Sequence, residues 1–343
     1  MYASLDNANS DESLSEKDKT LKLLRTNYHN LTATEFETLF ETKEVNLELG
    51  ETKFSYNMTA PYDSMYCDGM EMVVYIMTTS EAESFGRRQT IRQIIRNTTN
   101  RLVTFRFFIG NSKSLNFNVL ISEMLTYNDI VYYNHDDFYR ETHVKWNSMH
   151  DYHMTFCPNV KYFLKMDEDV TTDFERLFYW IEHEFDGLTI NETEYFICHE
   201  IYQWPPTREE GDRWYISYEE FPEPYWPPYC FGYFVLTTND TIKTIAEAAK
   251  NVDLVHMDDA FFTGIVRRET EVKVLHWRGF FHVPDHVKYE CPEGSLPYFT
   301  AVHNTKDRDT VETWASELQG TECDTVIYEL SDEDLTEEVN LSK

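Results

Sequence analysis

The sequence has little glycine and lacks the glycine-rich motifs that bind phosphates. Only 11 of its 343 residues are glycine, and neither Gly-x-Gly-x-x-Gly nor Gly-x₄-Gly-Lys-Ser/Thr occurs. Both motifs need their glycines so that backbone N–H groups can approach a phosphate closely. The sequence therefore disfavours dinucleotide-binding enzymes and P-loop nucleotidases.

The common metal and redox motifs are also missing. No Cys-x-x-Cys pair occurs, which disfavours zinc and thiol-redox sites. His183-Glu184 and His199-Glu200 lack the second histidine of the metalloprotease motif. The six cysteines are then either disulfide-bonded or free and buried. Their even number, together with six Asn-x-Ser/Thr sequons, favours an oxidising lumen.

Basic residues are few, 30 against 61 acidic ones, and the net charge is −31 at pH 7. This charge argues against a nucleic-acid partner, because nothing would offset repulsion from the phosphates. No run approaches the roughly 18–20 apolar residues of a membrane helix. We therefore expect membrane contact only through an anchor that this sequence does not contain.

The length predicts one large domain or two small ones, and 41% hydrophobic residues indicate a globular protein. We expect an N-terminal stem or lead-in over residues 1–60 and a folded domain over 61–328. An acidic, disordered tail is predicted over 329–343, where charged and polar residues dominate.

Strand and helix patterns alternate along the middle of the chain. Runs rich in apolar and β-branched residues predict strands at 70–78, 103–109, 129–131, 161–166, 195–201 and 231–237. Helices are predicted at 81–96, 115–125, 139–156, 173–185 and 240–250. Residues 27–59 show no clear period, and we expect a short helix or two and a linker there. The alternation predicts an α/β sandwich with a mostly parallel central sheet flanked by helices.

An acidic triplet, Asp167-Glu168-Asp169, directly follows the predicted strand 161–166. Two carboxylates one residue apart at the end of a buried strand can both reach a hard cation such as Mg²⁺ or Mn²⁺. The alternative is chance in an acidic chain, since 307–309 and 332–334 have the same spacing. Neither of those two triplets follows an apolar strand.

Three further segments each have a functional and a structural interpretation. Arginines in the helix 81–96 either capture a diphosphate or form a solvated helix face. The aromatic, proline-rich segment 204–230 either stacks on a sugar or packs over the core. Asp258 and Asp259 precede an apolar helical start, where carboxylates also serve as favourable N-terminal charges.

The order of these motifs resembles the β1,3-galactosyltransferase and β1,3-N-acetylglucosaminyltransferase family, glycosyltransferase family 31, from residue 70 to 314. Residues 88–92 resemble its Arg-x-x-Ile-Arg helix, and 167–169 its Asp-x-Asp metal motif. The other matching positions are Asp129-Ile130-Val131, Asp137-Phe138-Tyr139, Lys145, residues 225–232, Asp258-Asp259-Ala260, Val302-His303 and Trp314.

The resemblance implies a GT-A-type, Rossmann-like fold, so that residues 61–328 would be the catalytic domain. It implies an inverting, Mn²⁺-dependent β1,3-hexosyltransferase. Such an enzyme moves galactose or an N-acetylhexosamine from a UDP-sugar to a hydroxyl of a glycan on a glycoprotein or glycolipid. The expected location is the Golgi lumen or membrane.

The resemblance also implies roles for particular residues. Asp259 is the expected catalytic base, with N-terminal capping as its alternative. Metal ligands would be Asp167, Asp169 and His303, although His303 could be an ordinary histidine of the core or surface. Donor contacts are expected from Thr78, Arg88, Arg92, Asp137, Lys145 and Asp167. Acceptor contacts are expected from Trp226, Tyr229 and Asp258.

The sequence departs from the family pattern at a few positions. Ile95 stands where the family has Trp, Ala260 replaces Val, and the turn after Cys230 is about two residues short. Two other function classes stay open. The departures at Ile95 and Ala260 would fit a catalytically inactive luminal protein with a binding or chaperone-like role, and the clustered aspartates would also fit a metal-dependent phosphohydrolase.

Overall fold

A nine-stranded mixed sheet runs through the computed structural model, which describes residues 40–61, 66–98, 101–280 and 296–321. The strands in these residues are β1 (Phe40–Leu49), β2 (Thr52–Pro61), β3 (Met72–Met77), β4 (Val103–Asn111), β5 (Ile130–Asp136), β6 (Tyr162–Asp167), β7 (Val170–Thr172), β8 (Tyr195–Ile201), β9 (Tyr229–Thr238), β10 (Lys273–His276) and β11 (Ala301–His303).

The α-helices of the described residues are α1 (Ala82–Thr98), α2 (Phe117–Tyr127), α3 (Thr142–Phe156), α4 (Phe174–Trp180), α5 (Asp186–Thr189), α6 (Asn239–Ala249) and α7 (Arg308–Gly320). Two π-helical segments, Ile181–Phe185 and Ala260–Val266, and two 3₁₀ turns, Tyr139–Glu141 and Arg278–Phe280, complete the helical structure. None of the helices in this part of the chain combines the length and apolar character needed to cross a bilayer.

The sheet has a parallel centre, as the strand–helix alternation predicts. Its strand order is β1-β2-β5-β4-β3-β6-β9-β8-β10. Strands β5, β4, β3 and β6 are parallel to their neighbours within this group, whereas β9 runs antiparallel to both β6 and β8. The predicted α/β sandwich is therefore confirmed, with carboxyl ends of the central strands meeting at one edge.

Helices cover both faces of the sheet. Side chains of β3 alternate between the faces, with Tyr75 in the core beneath α3 and α6 and Ile76 in the core beneath α1, α2 and α4. All six residues of β3 are buried. A strand buried on both faces reads as a continuous apolar run, which is how this strand appears in the sequence.

Residues 40–61 form a β-hairpin, so the expectation of short helices there is wrong. Val45, Leu47 and Leu49 are buried on β1, and the residues between them are exposed. Gly50 has a φ of +54° at the turn between the two strands. The hairpin joins the main sheet where β2 pairs with β5. The period-two alternation of apolar residues is what packs the hairpin there. The rest of the predicted lead-in and the predicted tail lie outside the described residues.

Four of the six cysteines form two disulfides. Cys67 bonds to Cys157 at the end of α3, and Cys198 of β8 bonds to Cys230 of β9. The two interpretations left open by the sequence are thus decided for these four in favour of disulfides. Cys291 and Cys323 lie outside the described residues.

Candidate active site

A cavity of about 740 Å³ lies at the carboxyl edge of the central strands. Its wall includes the acidic turn after β6, the end of β11, the start of β9, the segment before Ala260–Val266 and the long connection between β8 and β9. Ligands of open α/β sheets bind outside the carboxyl ends of the strands, so the position itself indicates a ligand site. The predicted residues that line it are Asp167, Asp169, Trp226, Tyr229, Asp258, Asp259 and His303.

The parallel pairing of β3 with β6 places the acidic turn at the cavity. Asp167 is opposite Met77 in that register, and the chain turns directly afterwards. Lys165 donates to Asp167 Oδ1 at 2.6 Å and also to the carbonyl oxygen of Gly232 on β9. The buried ammonium group of Lys165 therefore connects the acidic turn to the neighbouring strand β9.

His303 reaches the same turn through a separate two-stranded sheet. β11 pairs antiparallel with β7, and His303 is opposite Val170, the residue after Asp169. The imidazole Nε2 lies 3.5 Å from Asp169 Oδ1, and the ring stacks on Tyr233 at a centroid distance of 4.0 Å. Burial alone would raise the pKa of Asp169, but the hydrogen bond and charge of His303 outweigh it and lower that pKa.

The donor set at this turn fits a divalent cation that shares its coordination with a substrate. In the described residues, no three His, Cys, Asp or Glu side chains converge closely enough to hold a metal ion alone. Asp169 and His303 provide two neighbouring ligand atoms, and Asp167 is held beside them by Lys165. Cations such as Mg²⁺ bind through one or two carboxylates plus substrate phosphates and water, which this incomplete set permits.

Glu168, the middle residue of the triplet, faces the protein and not the cavity wall. Its carboxylate accepts hydrogen bonds from Thr78 Oγ1, from Ser84 Oγ at 2.7 Å and from Arg87 Nη1 at 2.6 Å. The acidic turn is thereby fixed to the end of β3 and the start of α1. Sequence reasoning missed this role, because the direction of each side chain within a turn cannot be read from spacing.

Thr78, Asp137 and Lys145 form one buried group behind the cavity. Lys145 Nζ lies 2.8 Å from Asp137 Oδ1 and donates to the Thr78 carbonyl oxygen at 2.6 Å. Asp137 also accepts the Gly110 N–H at 3.2 Å. The group connects Thr78 after β3, Gly110 of β4 and Asp137 after β5. These contacts hold the carboxyl ends of the three strands together. Donor contact by these residues stays a prediction.

Arg88 and Arg92 lie in buried ion pairs and do not line the cavity. Arg88 donates twice to Glu123, at 2.9 and 2.7 Å, and Arg92 donates twice to Asp129 at 2.7 Å. Arg88 also donates to the Thr79 carbonyl oxygen at 2.7 Å. Paired buried charges of this kind fix α1 against α2 and the start of β5. Neither guanidinium is solvated, and their predicted contact with a donor diphosphate remains untested.

Asp258 and Asp259 line the same cavity as His303 and lie just before the π-helical segment. Both keep partial solvent access, yet protein surrounds them. Burial of the carboxyl group among protein atoms, together with the negative charge of the adjacent Asp258, raises the pKa of Asp259 to about 7. Asp259 accepts the N–H groups of Ala260 at 2.7 Å and of Gly232 at 3.3 Å. Desolvation also raises the pKa of Asp258, so this pair holds a carboxyl group poised to exchange a proton near neutral pH.

The β8–β9 connection forms the aromatic wall of the cavity. Trp226 and Tyr229 line it but are each only 6% exposed, and Trp226 stacks on Phe221 at 4.5 Å. The exposed aromatic rings that this connection contributes to the cavity are instead Trp204 and Trp214, which are 41% and 40% exposed. Both tryptophans lie in the segment 204–230, but composition alone could not tell which rings pack inward.

The sequence profile of the galactosyltransferase family matches residues 86–278, more than half of the chain. A mouse lactosylceramide 1,3-N-acetyl-beta-D-glucosaminyltransferase is 23% identical over 248 residues, which are 69% of this chain and 62% of that protein. Human beta-1,3-galactosyltransferase 1 is 24% identical over 216 residues, 62% of this chain and 64% of the relative.

The match thus spans less than two thirds of the length of these curated relatives. The residues that the family profile matches include the acidic turn and the pair Asp258 and Asp259. They also include the predicted donor-side residues Arg88, Arg92, Asp137 and Lys145. His303 lies beyond the matched residues 86–278. Because the profile covers more than half of the chain, this protein belongs to the galactosyltransferase family, glycosyltransferase family 31.

Proposed function

We propose that this protein is a β1,3-hexosyltransferase that moves galactose or an N-acetylhexosamine from a UDP-sugar to a glycan hydroxyl. The observation that carries the proposal is one cavity lined both by the neighbouring side chains of Asp169 and His303 and by Asp259, a carboxyl group with a raised pKa. The names of two relatives support it, since one is a 1,3-N-acetylglucosaminyltransferase and the other a 1,3-galactosyltransferase. UDP-sugar and glycan acceptor are accordingly the proposed partners.

Asp169 and His303 would hold Mn²⁺ on the donor side, with Asp167 beside them. A bound Mn²⁺ supplies Lewis-acid stabilisation of the negative charge that develops on a leaving diphosphate. The chain's own contribution is to fix the ligand atoms. Thr305 donates its N–H to the Asp169 carbonyl at 2.9 Å, and the β7–β11 register sets His303 beside it. The Glu168 carboxylate forms an ion pair with Arg87 of α1 and so holds the turn against that helix.

Asp259 would act as the general base on the acceptor side. In an inverting transfer, the acceptor oxygen bonds to the anomeric carbon while the bond to the UDP oxygen breaks, and UDP leaves with that electron pair. The hydroxyl proton passes to the Asp259 carboxylate. The raised pKa of Asp259 suits this step, because a base is most effective when its pKa lies near the working pH.

The departures from the family pattern do not favour an inactive relative. Ile95 is 4% exposed and Ala260 is fully buried, and neither side chain lines the cavity. They alter core packing next to α1 and the π-helical segment and leave the proposed ligands and base in place. We also propose a Golgi lumen location, for which the two disulfides are the support, since disulfides persist in oxidising compartments.

A donor screen tests the proposed function. The purified chain is incubated with UDP-galactose, UDP-N-acetylglucosamine or UDP-N-acetylgalactosamine and simple glycoside acceptors, with Mn²⁺ or with EDTA. We expect transfer from at least one donor with Mn²⁺, a β1,3 linkage in the product by NMR, and no transfer in EDTA. Full activity in EDTA would contradict the metal site.

Two other outcomes separate the alternative classes. Binding of UDP without transfer or hydrolysis of any UDP-sugar would support the inactive relative. Release of phosphate from p-nitrophenyl phosphate, with no sugar transfer, would support a phosphohydrolase.

A further inference from the structure

Arg213 lies on the aromatic wall of the cavity that Asp259 also lines. Its guanidinium carbon is 4.1 Å from the centre of the Trp214 ring and 5.1 Å from that of Tyr139. The Trp214 indole N–H donates to the Tyr139 hydroxyl at 2.6 Å, which joins the two rings. All three residues are exposed and border the same cavity.

This cluster lies on the acceptor side. Tyr139 begins the short turn before α3, and the Thr142 hydroxyl donates to the Tyr139 carbonyl oxygen at 3.2 Å and also offsets part of the rise that burial causes in the pKa of Asp258. The surrounding protein raises the pKa of Tyr139, and the charges of Asp258 and Asp259 contribute to the rise. Arg213 is therefore linked through Tyr139 to the part of the cavity that holds Asp258 and Asp259. A part of the acceptor remote from the reacting hydroxyl would extend towards it.

The charge of Arg213 is unusual in its surroundings. The cavity is lined by five carboxylates, from Asp167, Asp169, Asp212, Asp258 and Asp259, and by two cations, Lys165 and Arg213. Lys165 is paired with Asp167. Across residues 40–61, 66–98, 101–280 and 296–321, no carboxylate lies within ion-pair distance of Arg213, and the neighbouring Asp212 accepts the Trp214 N–H at 2.7 Å instead.

Contacts with ring faces leave the N–H donors of a guanidinium available at its edge. These donors form a planar fork that matches the two oxygens of a carboxylate or sulfate. The net charge of −31 and the five carboxylates in the cavity lining would otherwise repel an anionic ligand. A cation held by two rings at this position offsets that repulsion locally.

The loop that carries Arg213 is fixed by the protein before any ligand binds. Arg208 donates to four backbone carbonyls of the loop, including those of Ile216 and Phe221 at 2.9 and 2.7 Å. The Trp226 N–H donates to the Trp204 carbonyl at 2.9 Å and closes the loop at its base. A preorganised loop loses little conformational entropy on binding, so its exposed groups can select a ligand.

We propose that the acceptor is an anionic glycan, bound by Arg213 through a carboxylate or sulfate on the sugar next to the one that accepts the transfer. This inference rests on the proposed transferase function and names the acceptor class of the same site. The rings of Trp214 and Tyr139 would pack against the apolar faces of that neighbouring sugar, because amphipathic rings favour such contacts.

The test compares three disaccharide acceptors, using a donor that the screen above identifies. The acceptors share the accepting sugar and differ in its neighbour, which is glucose, glucuronic acid or 6-O-sulfoglucose. We measure kcat/KM for each at 20 and 200 mM NaCl in the wild type, Arg213→Gln, Arg213→Lys and Arg268→Gln. Arg268 is a matched control, since it is an exposed arginine paired with Glu223 outside the cavity wall.

We expect the wild type to prefer at least one anionic acceptor over the neutral one by about tenfold at low salt, the scale of a charge-assisted hydrogen-bonded pair partly open to water. Screening should reduce the preference at high salt. Arg213→Gln should bring the ratio close to one, Arg213→Lys should retain part of it, and Arg268→Gln should leave it unchanged. Preference for glucuronic acid or for the sulfate identifies the source of the charge.

Two outcomes would overturn the inference. One is efficient transfer to the neutral acceptor with no anionic preference. The other is an anionic preference that Arg213→Gln retains. In both cases transfer itself still occurs, so the proposed function survives. Absence of transfer to every acceptor, with no hydrolysis of any UDP-sugar, would instead contradict the proposed function on which this inference depends.

Discussion

Gly232 lies against Asp259 so closely that no other side chain fits between them. A Cβ atom added to Gly232 would be 2.8 Å from the Asp259 Cβ and 3.4 Å from Asp259 Oδ2. The Gly232 N–H also donates to that oxygen at 3.3 Å, and its carbonyl accepts from Lys165. One glycine of β9 therefore sets the distance between the proposed base and the acidic turn.

Gly232→Ala should displace Asp259 and reduce transfer. Because the added methyl group must push the carboxyl away, we expect kcat to fall by about a hundredfold, the effect of misplacing a reacting group by about 1 Å. UDP binding, measured by calorimetry, should change much less. Gly187→Ala is the control, since nothing lies within 4 Å of its Cβ position. Wild-type kcat in a folded Gly232→Ala variant would show that the position of Asp259 is not critical.

Asp169→Asn and Asp259→Asn should affect different steps. The first removes a proposed metal-ligand charge, so Mn²⁺-dependent UDP affinity and turnover should both fall. The second keeps the side-chain shape, and loss of a general base costs about 10²–10⁴ in rate while UDP affinity stays near that of the wild type. Measuring UDP affinity by calorimetry and the transfer rate by assay in each variant separates the two effects.

Asp240→Asn, at the exposed start of α6, is the control for removing a carboxylate. If Asp259 serves only as an N-terminal cap, its substitution should cost roughly 0.5–1 kcal/mol of stability and leave activity largely intact. Transfer within tenfold of the wild type would point to that result, and Asp258 would then be tested as the base.

The rate of transfer should depend on pH through Asp259. Its pKa is raised to about 7 by desolvation and by Asp258, so the ionised base is lost as the pH falls through that value. We expect kcat/KM to fall about tenfold per pH unit below the pKa. Asp258→Asn removes the neighbouring charge and should move the acidic fall in kcat/KM to lower pH. A profile that stays flat down to pH 5.5 would be inconsistent with a raised pKa on the base.

Buried histidines of α3 should make the protein acid-sensitive. Burial lowers the pKa of His150 to about 3 and that of His153 to about 4. The unfolded chain binds protons below about pH 6.5 and the folded chain does not, so stability is lost as the pH falls from 6.5 towards 4. Each histidine should contribute about 2 kcal/mol of loss between pH 7 and pH 5.

Urea unfolding of His150→Gln at both pH values checks this. The variant should lose about 2 kcal/mol less than the wild type between pH 7 and pH 5, whereas His183→Gln, at an exposed position, should match the wild type. Asp173, Asp258 and Asp259 act in the opposite direction, because carboxyl groups with raised pKa favour the folded state on acidification. An unchanged pH dependence in His150→Gln would refute the assignment.

Local patterns predicted much of the architecture. Continuous apolar runs identified β3 and β6, since strands buried on both faces have that composition. The β1–β2 hairpin was missed, although Val45, Leu47 and Leu49 alternate with polar residues before Gly50. The polar half of each strand masked the period-two signal.

The site was predictable only in part, because its remaining features depend on long-range pairing. The register between β7 and β11 joins Asp169 to His303, which are more than a hundred residues apart, and only the family resemblance suggested that they meet. In the same way, Glu123 and Asp129 neutralise Arg88 and Arg92 of α1, and no spacing in the sequence indicates those partners.

The disulfide between Cys198 and Cys230 closes the whole aromatic segment into a covalent ring. The two sulfurs are 32 positions apart in sequence, and Trp204, Arg213 and Trp226 all lie between them. A protease that cut one peptide bond inside this ring would leave a single molecule, and its two fragments would separate only after thiol reduction. Both ends of the ring are strands of the main sheet, so residues inside it can be exchanged or inserted while the strands stay tethered. The disulfide thus keeps β8 and β9 linked at the base of the segment that would recognise the acceptor.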